Sequence, residues 1–335
     1  LPISKRRYKM SITTAEKEWL KRLGTNKPVR DDKLQTEEKP RNKEIRSNTA
    51  KAGKGFEDVA GMTQLKELVV EGFINVLKNK ECAEAYGIKP PSLLFYGPAG
   101  CGKTYFAEKV AEELGINFMK VVPDDLACTW IHGTQQKIGE LFRKAEQKAP
   151  TLIFFDEFDA MVPKRSENDA NQAYDGEVNE FLCMLNNASE RGIYVLAATN
   201  HPERIDKAVL RTGRIDELIY VDMPDMEARE SLFRLTLAKL PTADDIDFKK
   251  LASITEGYNC SDIDYIVKLA SRKMFNATIK NEDKCYQKIT QCLLEETISR
   301  KSPSVSQKDI KEYERVRNEF SPKDEKKKDV RIGFH

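Results

Sequence analysis

The chain has 335 residues, of which 40% are apolar and 33% charged, enough apolar material for one large domain or two modest ones. No run of 18 apolar residues occurs, which argues against a helical membrane span, and no signal-peptide pattern is visible. Residues 1–54 hold 16 Lys and Arg against 7 Asp and Glu, whereas the whole chain is only +2, so the remainder is acidic and a nucleic-acid groove across the globular part is disfavoured. In chain order, residues 1–24 form a basic arm with one short helix, in which Thr13-Thr14-Ala15-Glu16 fits a capping box and Ile12, Ala15, Trp19 and Leu23 share a face. Residues 25–54 are polar, with Pro28 and Pro40, and read as a disordered linker. A helix follows over about 63–79, with Leu65, Leu68, Val69, Phe73, Val76 and Leu77 as its apolar stripe. Strands are predicted at 93–96, 117–122, 151–157, 193–200 and 218–221, and helices at 105–111, 135–147 and 177–187. Strands alternating with helices predict a parallel α/β sheet. From 226 the pattern is helical only, which predicts a small second domain over 226–320 after an α/β domain over 55–225, with a charged tail at 321–335. The seven cysteines include no C-x-x-C pair and read as reduced thiols of a cytoplasmic protein. The three histidines lie too far apart in sequence to suggest a metal site.

Two motifs carry chemistry. Gly97-Pro98-Ala99-Gly100-Cys101-Gly102-Lys103-Thr104 is G-x-x-x-x-G-K-T, placed between an apolar strand and a helix, which is the context a P-loop requires. Its glycines let backbone N–H groups turn toward phosphates, and the following helix presents its positive end to the same anion. Lys103 is expected to reach the β/γ-phosphates and Thr104 to bind Mg2+. Downstream, Ile153-Phe154-Phe155-Asp156-Glu157 puts two carboxylates at a strand's carboxyl end, the end that faces the ligand crevice in open α/β sheets. Asp156 suits the Mg2+ water shell, and Glu157 suits polarising a water for attack on a γ-phosphate.

These residues, with others, resemble the classical AAA clade of AAA+ ATPases over about 56–318. Phe56–Gly61 resembles the segment beside adenine, which implies nucleotide contacts from Asp58 and Gly61, with Tyr105 following the P-loop. Gly97–Thr104 looks like Walker A and Ile153–Glu157 like Walker B. Asn200 falls on sensor 1, Leu210–Asp216 resembles the arginine-finger box with Arg211 and Arg214, and Gly257–Ile263 resembles the sensor-2 turn with Cys260 and Ser261. Pro303–Ser306 with Asp309 and Tyr313 is similar to the end of the second ring of valosin-containing-protein segregases. Departures are Thr212 for Pro in the finger box, Cys260-Ser261 for Gly-Ala, and Cys101 for Thr in the P-loop.

The resemblance implies a three-layer αβα P-loop NTPase fold with a parallel sheet and a C-terminal helical lid. It implies ATP and Mg2+ as cofactors and a homo-oligomer, a hexamer in that family, whose arginine fingers reach the neighbour's site. It places a substrate pore loop at Trp130 and Ile131, with His132 where Gly is usual. The leading expectation is a ring ATPase that unfolds, extracts or disassembles a protein substrate, recruited directly or by an adaptor. A membrane- or filament-remodelling ATPase, with peripheral membrane contact through the basic arm, is the second reading. A nucleotide-regulated scaffold that barely hydrolyses is the third, weighed against by Glu157 and Asn200.

Overall fold

A computed structural model describes residues 47–49, 53–127, 133–164, 172–280 and 286–320. Contacts divide the chain into Leu1–Asn42 and Lys43–His335, and every described residue belongs to the second unit. The strands are β1 (Ser47–Thr49), β2 (Leu93–Tyr96), β3 (Asn117–Val121), β4 (Thr151–Phe155), β5 (Ile193–Thr199) and β6 (Glu217–Tyr220). They form one sheet in the order β1-β3-β4-β5-β2-β6. All pairings are parallel except that of β1 with β3. Before β2 lie α1 (Thr63–Val69), a π turn (Val70–Ile74), α2 (Asn75–Lys78) and α3 (Lys80–Ala85). Within the sheet region run α4 (Lys103–Leu114), α5 (Pro123–Leu126), α6 (Gly133–Gln147), α7 (Phe158–Met161) and α8 (Gln172–Leu185). Beyond β6 come α9 (Met226–Leu237), α10 (Phe248–Ile254), α11 (Cys260–Lys280), α12 (Gln291–Ser299) and α13 (Gln307–Phe320).

The period of two along each strand builds the layers. Leu93, Phe95, Leu152, Phe154, Leu196 and Ala198 join Phe106 and Val110 of α4 and Val69 and Phe73 of the first helical stretch in one core. The alternate residues Leu94, Ile153, Phe155, Val195 and Ala197 join Leu141 and Phe142 of α6 and Val178 and Phe181 of α8 in another. β4 and β5 are therefore buried on both faces, and every residue in them is covered, as a central parallel strand requires. This is the expected αβα fold, with a helical part following it. That part has its own core, in which Phe233, Leu251, Ile266, Leu294 and Ile298 pack together. Its helices start on side-chain caps: Asp225 Oδ1 accepts from Ala228 N at 2.7 Å and Asp247 Oδ1 from Lys250 N at 3.0 Å. α13 returns from this part to the sheet edge, where Arg317 lies 3.5 Å from Asp222 and 5.0 Å from the Tyr220 ring. Phe320 meets the Tyr96 ring edge-on with centroids 6.0 Å apart.

Three details differ from the sequence reading. Ser47–Thr49, placed in a disordered linker, pairs antiparallel with β3 from Ser47 opposite Met119 to Thr49 opposite Asn117. Backbone pairing needs no apolar alternation, so the triplet gave no signal. The helix read as continuous over 63–79 contains the π turn, whose wider spacing lets the consecutive Phe73 and Ile74 both bury. The third strand ends at Phe155. Asp156 N makes a last bond to Val121 O at 2.9 Å, and Glu157 then turns at φ 53° into α7.

Phe155 is fully buried and meets the rings of Phe142, Phe158 and Phe181. Phe155→Ala should therefore cost about 3–5 kcal/mol, read as a fall in the urea midpoint with the unfolding slope unchanged.

Candidate functional site

The site begins where β2 ends. After Tyr96 the chain turns at Gly97, with φ 141° and a position where a Cβ would lie 2.3 Å from the Val221 carbonyl oxygen. At Gly100, with φ 77°, a Cβ would lie 2.5 Å from Asn259 Nδ2. Neither backbone conformation nor neighbouring space admits a side chain at these two positions. α4 starts at Lys103, directly after the loop, so the N–H groups and dipole of a twelve-residue helix face the loop's concavity. Pro98 is buried, Ala99 is exposed and Gly102 is half-buried.

Lys103 is buried, and its ammonium donates to the carbonyls of Gly97 at 2.9 Å and Pro98 at 2.8 Å. Burial pulls its pKa down to about 8. Thr104 Oγ1 donates to Asp156 Oδ2 at 3.0 Å. Thus the loop's last residue and the first residue past β4 meet, although 52 positions separate them. Asp156 Oδ1 accepts from Glu157 N at 3.2 Å. Glu157 is exposed, and its left-handed backbone, disfavoured for a residue bearing a Cβ, marks local strain of the kind that gathers at working sites. Asn200 follows β5, which pairs Thr199 with Tyr96, so the register sets Asn200 level with Gly97. The Thr199 hydroxyl donates to Asp159 Oδ1 at 2.5 Å and accepts from His201 N at 2.8 Å, anchoring the strand end that carries Asn200.

Other expected residues divide by surroundings. Cys101 is fully buried, 3.5 Å from Met223 Sδ, and burial pushes its thiol up to about 12, so it serves as packing. Asp58 turns its carboxylate to Lys109 Nζ at 3.0 Å and accepts the Tyr105 hydroxyl on its backbone oxygen at 3.0 Å. The hydrogen bond from Lys109 holds the Asp58 carboxyl below its ordinary value. Gly61 leaves no room for a Cβ against Ala228 of α9, which would lie 2.5 Å away. Ser261 N donates to Gly100 O at 3.1 Å, and burial pushes the neighbouring Cys260 thiol up to about 11. Arg214 is engaged within its own chain, by Ala208 O at 2.7 Å and Asn186 Oδ1 at 3.4 Å. Arg211 is exposed; its backbone oxygen accepts from Arg214 N at 3.2 Å, and its side chain makes no hydrogen bond or ion pair to another described residue. Trp130, Ile131 and His132 lie outside the described residues.

Two residues not expected at the site also reach it, Asn259 from within the matched turn Gly257–Ile263 and Lys120 from β3. Asn259 Nδ2 donates to Ala99 O at 3.0 Å, and Lys120 Nζ lies 3.0 Å from Asp156 Oδ2. The sequence does hold a signal for Lys120, a lone charge in an otherwise uncharged strand near its carboxyl end. Among the described residues no group of three or more His, Cys, Asp or Glu could cage a metal. The hydroxyl of Thr104 and the carboxylate of Asp156 are instead the hard oxygen pair that suits Mg2+, an ion that keeps waters and takes its other ligands from phosphates.

A glycine cradle at a helix N-terminus, a lysine within it, and a hydroxyl–carboxylate pair beside it together define a P-loop nucleotide site on an αβα scaffold. Residues 93–223 match the model of the ATPase family associated with various cellular activities (AAA). A cell division cycle protein 48 homolog of Archaeoglobus fulgidus is 35% identical over 275 residues, covering 79% of this chain and 38% of that protein. A putative cell division cycle ATPase of Plasmodium falciparum is 34% identical over 226 residues, covering 67% of this chain and 18% of that protein. The chain thus spans less than two fifths of the length of either relative. Residues 93–223 are thus an AAA ATPase module.

The low pKa of Lys103 gives a pH prediction. Bound phosphates favour the charged ammonium, so the pKa is higher with ATP than without it, and binding takes up a proton above about pH 8. Affinity for a fluorescent ATP analogue should hold from pH 6.5 to 7.5. It should then fall by up to about tenfold per unit above pH 8, a loss that equilibrium titration would read.

Proposed function

We propose that the chain is one subunit of a closed head-to-tail ring, of six copies, that hydrolyses ATP with Mg2+ to unfold, extract or disassemble protein substrates. The observation that carries this reading is the contact of Thr104 with Asp156 at 3.0 Å, beside an exposed Glu157. It joins the phosphate loop to the end of the central strand, where a group that activates water is needed. In this reading residues 55–225 bind the nucleotide and 226–320 close over it as a lid. Residues 1–54 serve substrate or adaptor choice, and 321–335 is a charged tail.

The roles follow from position. Backbone N–H groups of Gly97–Gly102 and the start of α4 hold the phosphate oxygens, and Lys103 neutralises the β/γ-phosphates while it is charged. Thr104 and Asp156 would hold Mg2+, which supplies positive charge on the phosphate oxygens. The Glu157 carboxylate accepts a proton from water as the water oxygen bonds to the γ-phosphorus. The bond from that phosphorus to the β–γ bridging oxygen breaks, and the electron pair stays on ADP. Asn200, level with Gly97, orients the water. Asp58, Gly61 and Tyr105 on one side and Cys260 and Ser261 on the other flank the nucleotide.

Arg211 supports the ring. It is exposed and its side chain is unengaged among the described residues, as suits a cation that completes a neighbour's site. Arg214, tied to Ala208 and Asn186, holds the finger segment in place and adds its charge across the same interface. A site completed from the next copy implies a closed head-to-tail assembly. Trp130, Ile131 and His132 line the axial channel and grip an extended polypeptide, the flat Trp ring tolerating many sequences. The described cysteines Cys82, Cys101, Cys183, Cys260 and Cys292 are free thiols, which suits the cytoplasm.

Glu157→Gln tests the chemistry. It should bind ATP within about threefold of wild type and release phosphate at least about 10²-fold more slowly, measured in single turnover; wild-type turnover would remove Glu157 from its role. Arg211→Ala tests the ring, because its loss is felt in the neighbouring site. ATP binding should persist while turnover falls by about 10³-fold or more. Mixing Arg211→Ala with Lys103→Ala subunits should restore activity above either variant alone, with mixed assemblies confirmed by mass.

A further inference from the structure

β2, β3, β4 and β5 contain a single charged residue, Lys120. It follows Phe118 by two residues, and Phe118 belongs to the same core as Phe106 of α4, so Lys120 lies on the sheet face from which the phosphate loop's helix rises. It is also the next-to-last residue of its strand, which brings its ammonium to the ligand end of the sheet. There Nζ lies 3.0 Å from Asp156 Oδ2, the oxygen that accepts the Thr104 hydroxyl at 3.0 Å. The side chains of Lys120 and Asp156 are 35% and 22% exposed. A pair so open to solvent adds little to stability, so the value of a charge at this position lies in what it offers a ligand.

We propose that Lys120 is a second phosphate-facing cation of the nucleotide site, which competes with the divalent ion for Asp156 and makes triphosphate binding less dependent on that ion. This rests on the nucleotide-site reading above and adds to it. An ammonium and a divalent cation cannot share one carboxylate oxygen without strong repulsion. The lysine's flexible stem lets its compact charge turn from Asp156 to the β/γ-phosphate oxygens when no divalent ion is there to neutralise them, whereas a divalent ion that takes the carboxylate neutralises those oxygens itself. Without a divalent ion, Lys120 and Lys103 together supply positive charge to the triphosphate. Lys103 is held inside the loop by two carbonyls, whereas Lys120 reaches the same site from β3, so the two lysines approach from different elements.

The test uses the full chain and a fluorescent ATP analogue, titrated in EDTA and across a Mg2+ series, for wild type, Lys120→Met, Lys120→Gln and Lys120→Arg. Thermal melts without nucleotide show which variants fold, and the Gln variant stands in if Met does not. In EDTA the Met or Gln variant should bind about tenfold or more weakly than wild type, the loss of one charge-assisted contact. At saturating Mg2+ the loss should stay within about threefold. Lys120→Arg should keep the wild-type ratio between the two conditions. An equal loss in both conditions, or none in either, would overturn the role of Lys120 while leaving the nucleotide site intact. Failure of wild type to bind the analogue at any Mg2+ concentration would overturn the site reading and this inference with it.

Discussion

The carboxylate of Asp156 is the point on which the site depends. Its Oδ2 takes the Thr104 hydroxyl and the Lys120 ammonium, and its Oδ1 takes the Glu157 N–H. These partners come from α4, β3 and the turn after β4, so one side chain reports whether those elements are in register. Its own position is set by burial. β4 is covered along its whole length and cannot slip by one residue without driving its apolar side chains to the wrong face. The aromatic cluster around Phe155 fixes the strand end, and the polar geometry is inherited from that packing.

The helical part acts on this site through the backbone of the phosphate loop. Asn259 donates to Ala99 O and Ser261 to Gly100 O, so two loop carbonyls face the helical part. Asn259 is fixed in turn by Asp262, which accepts from Asn259 N at 3.4 Å while Asp262 N donates to Asn259 Oδ1 at 2.8 Å. Asp262 is buried, and burial alone would push its carboxyl up. The Lys301 ammonium at 2.7 Å and the Ser304 hydroxyl and N–H outweigh that effect and hold it below its ordinary value. The charge that positions the turn at Asn259 is therefore kept ionised from a segment some forty residues further along.

Much of this was legible in the residues. The G-x-x-x-x-G-K-T spacing, the apolar runs of β2, β4 and β5, and the alternation with helices led to the fold because parallel strands are apolar on both faces and leave a continuous signal. What stayed hidden has physical causes. Ser47–Thr49 pairs through its backbone, and the side chains of three polar residues carry no trace of that. The π turn depends on a local excess of one residue, which a 3.6-residue period averages away. The turn 257–263 was legible, but that Asn259 within it bonds Ala99 O, and that Lys120 meets Asp156, depends on tertiary placement. Asp58 pairing with Lys109, four residues beyond Tyr105, likewise needed α4 to be laid beside the 55–58 turn before it could be seen.

The return of α13 to the sheet has a mechanical consequence. The helical part leaves β6 through Asp222–Asp225 and comes back through Arg317 and Phe320 to Asp222, Tyr220 and Tyr96. A segment fastened at both ends to one edge is restrained more than one fastened at a single end, and this one is also tied to the phosphate loop through Asn259 and Ser261. Load applied to the helical part is therefore borne by the edge strand and the loop together.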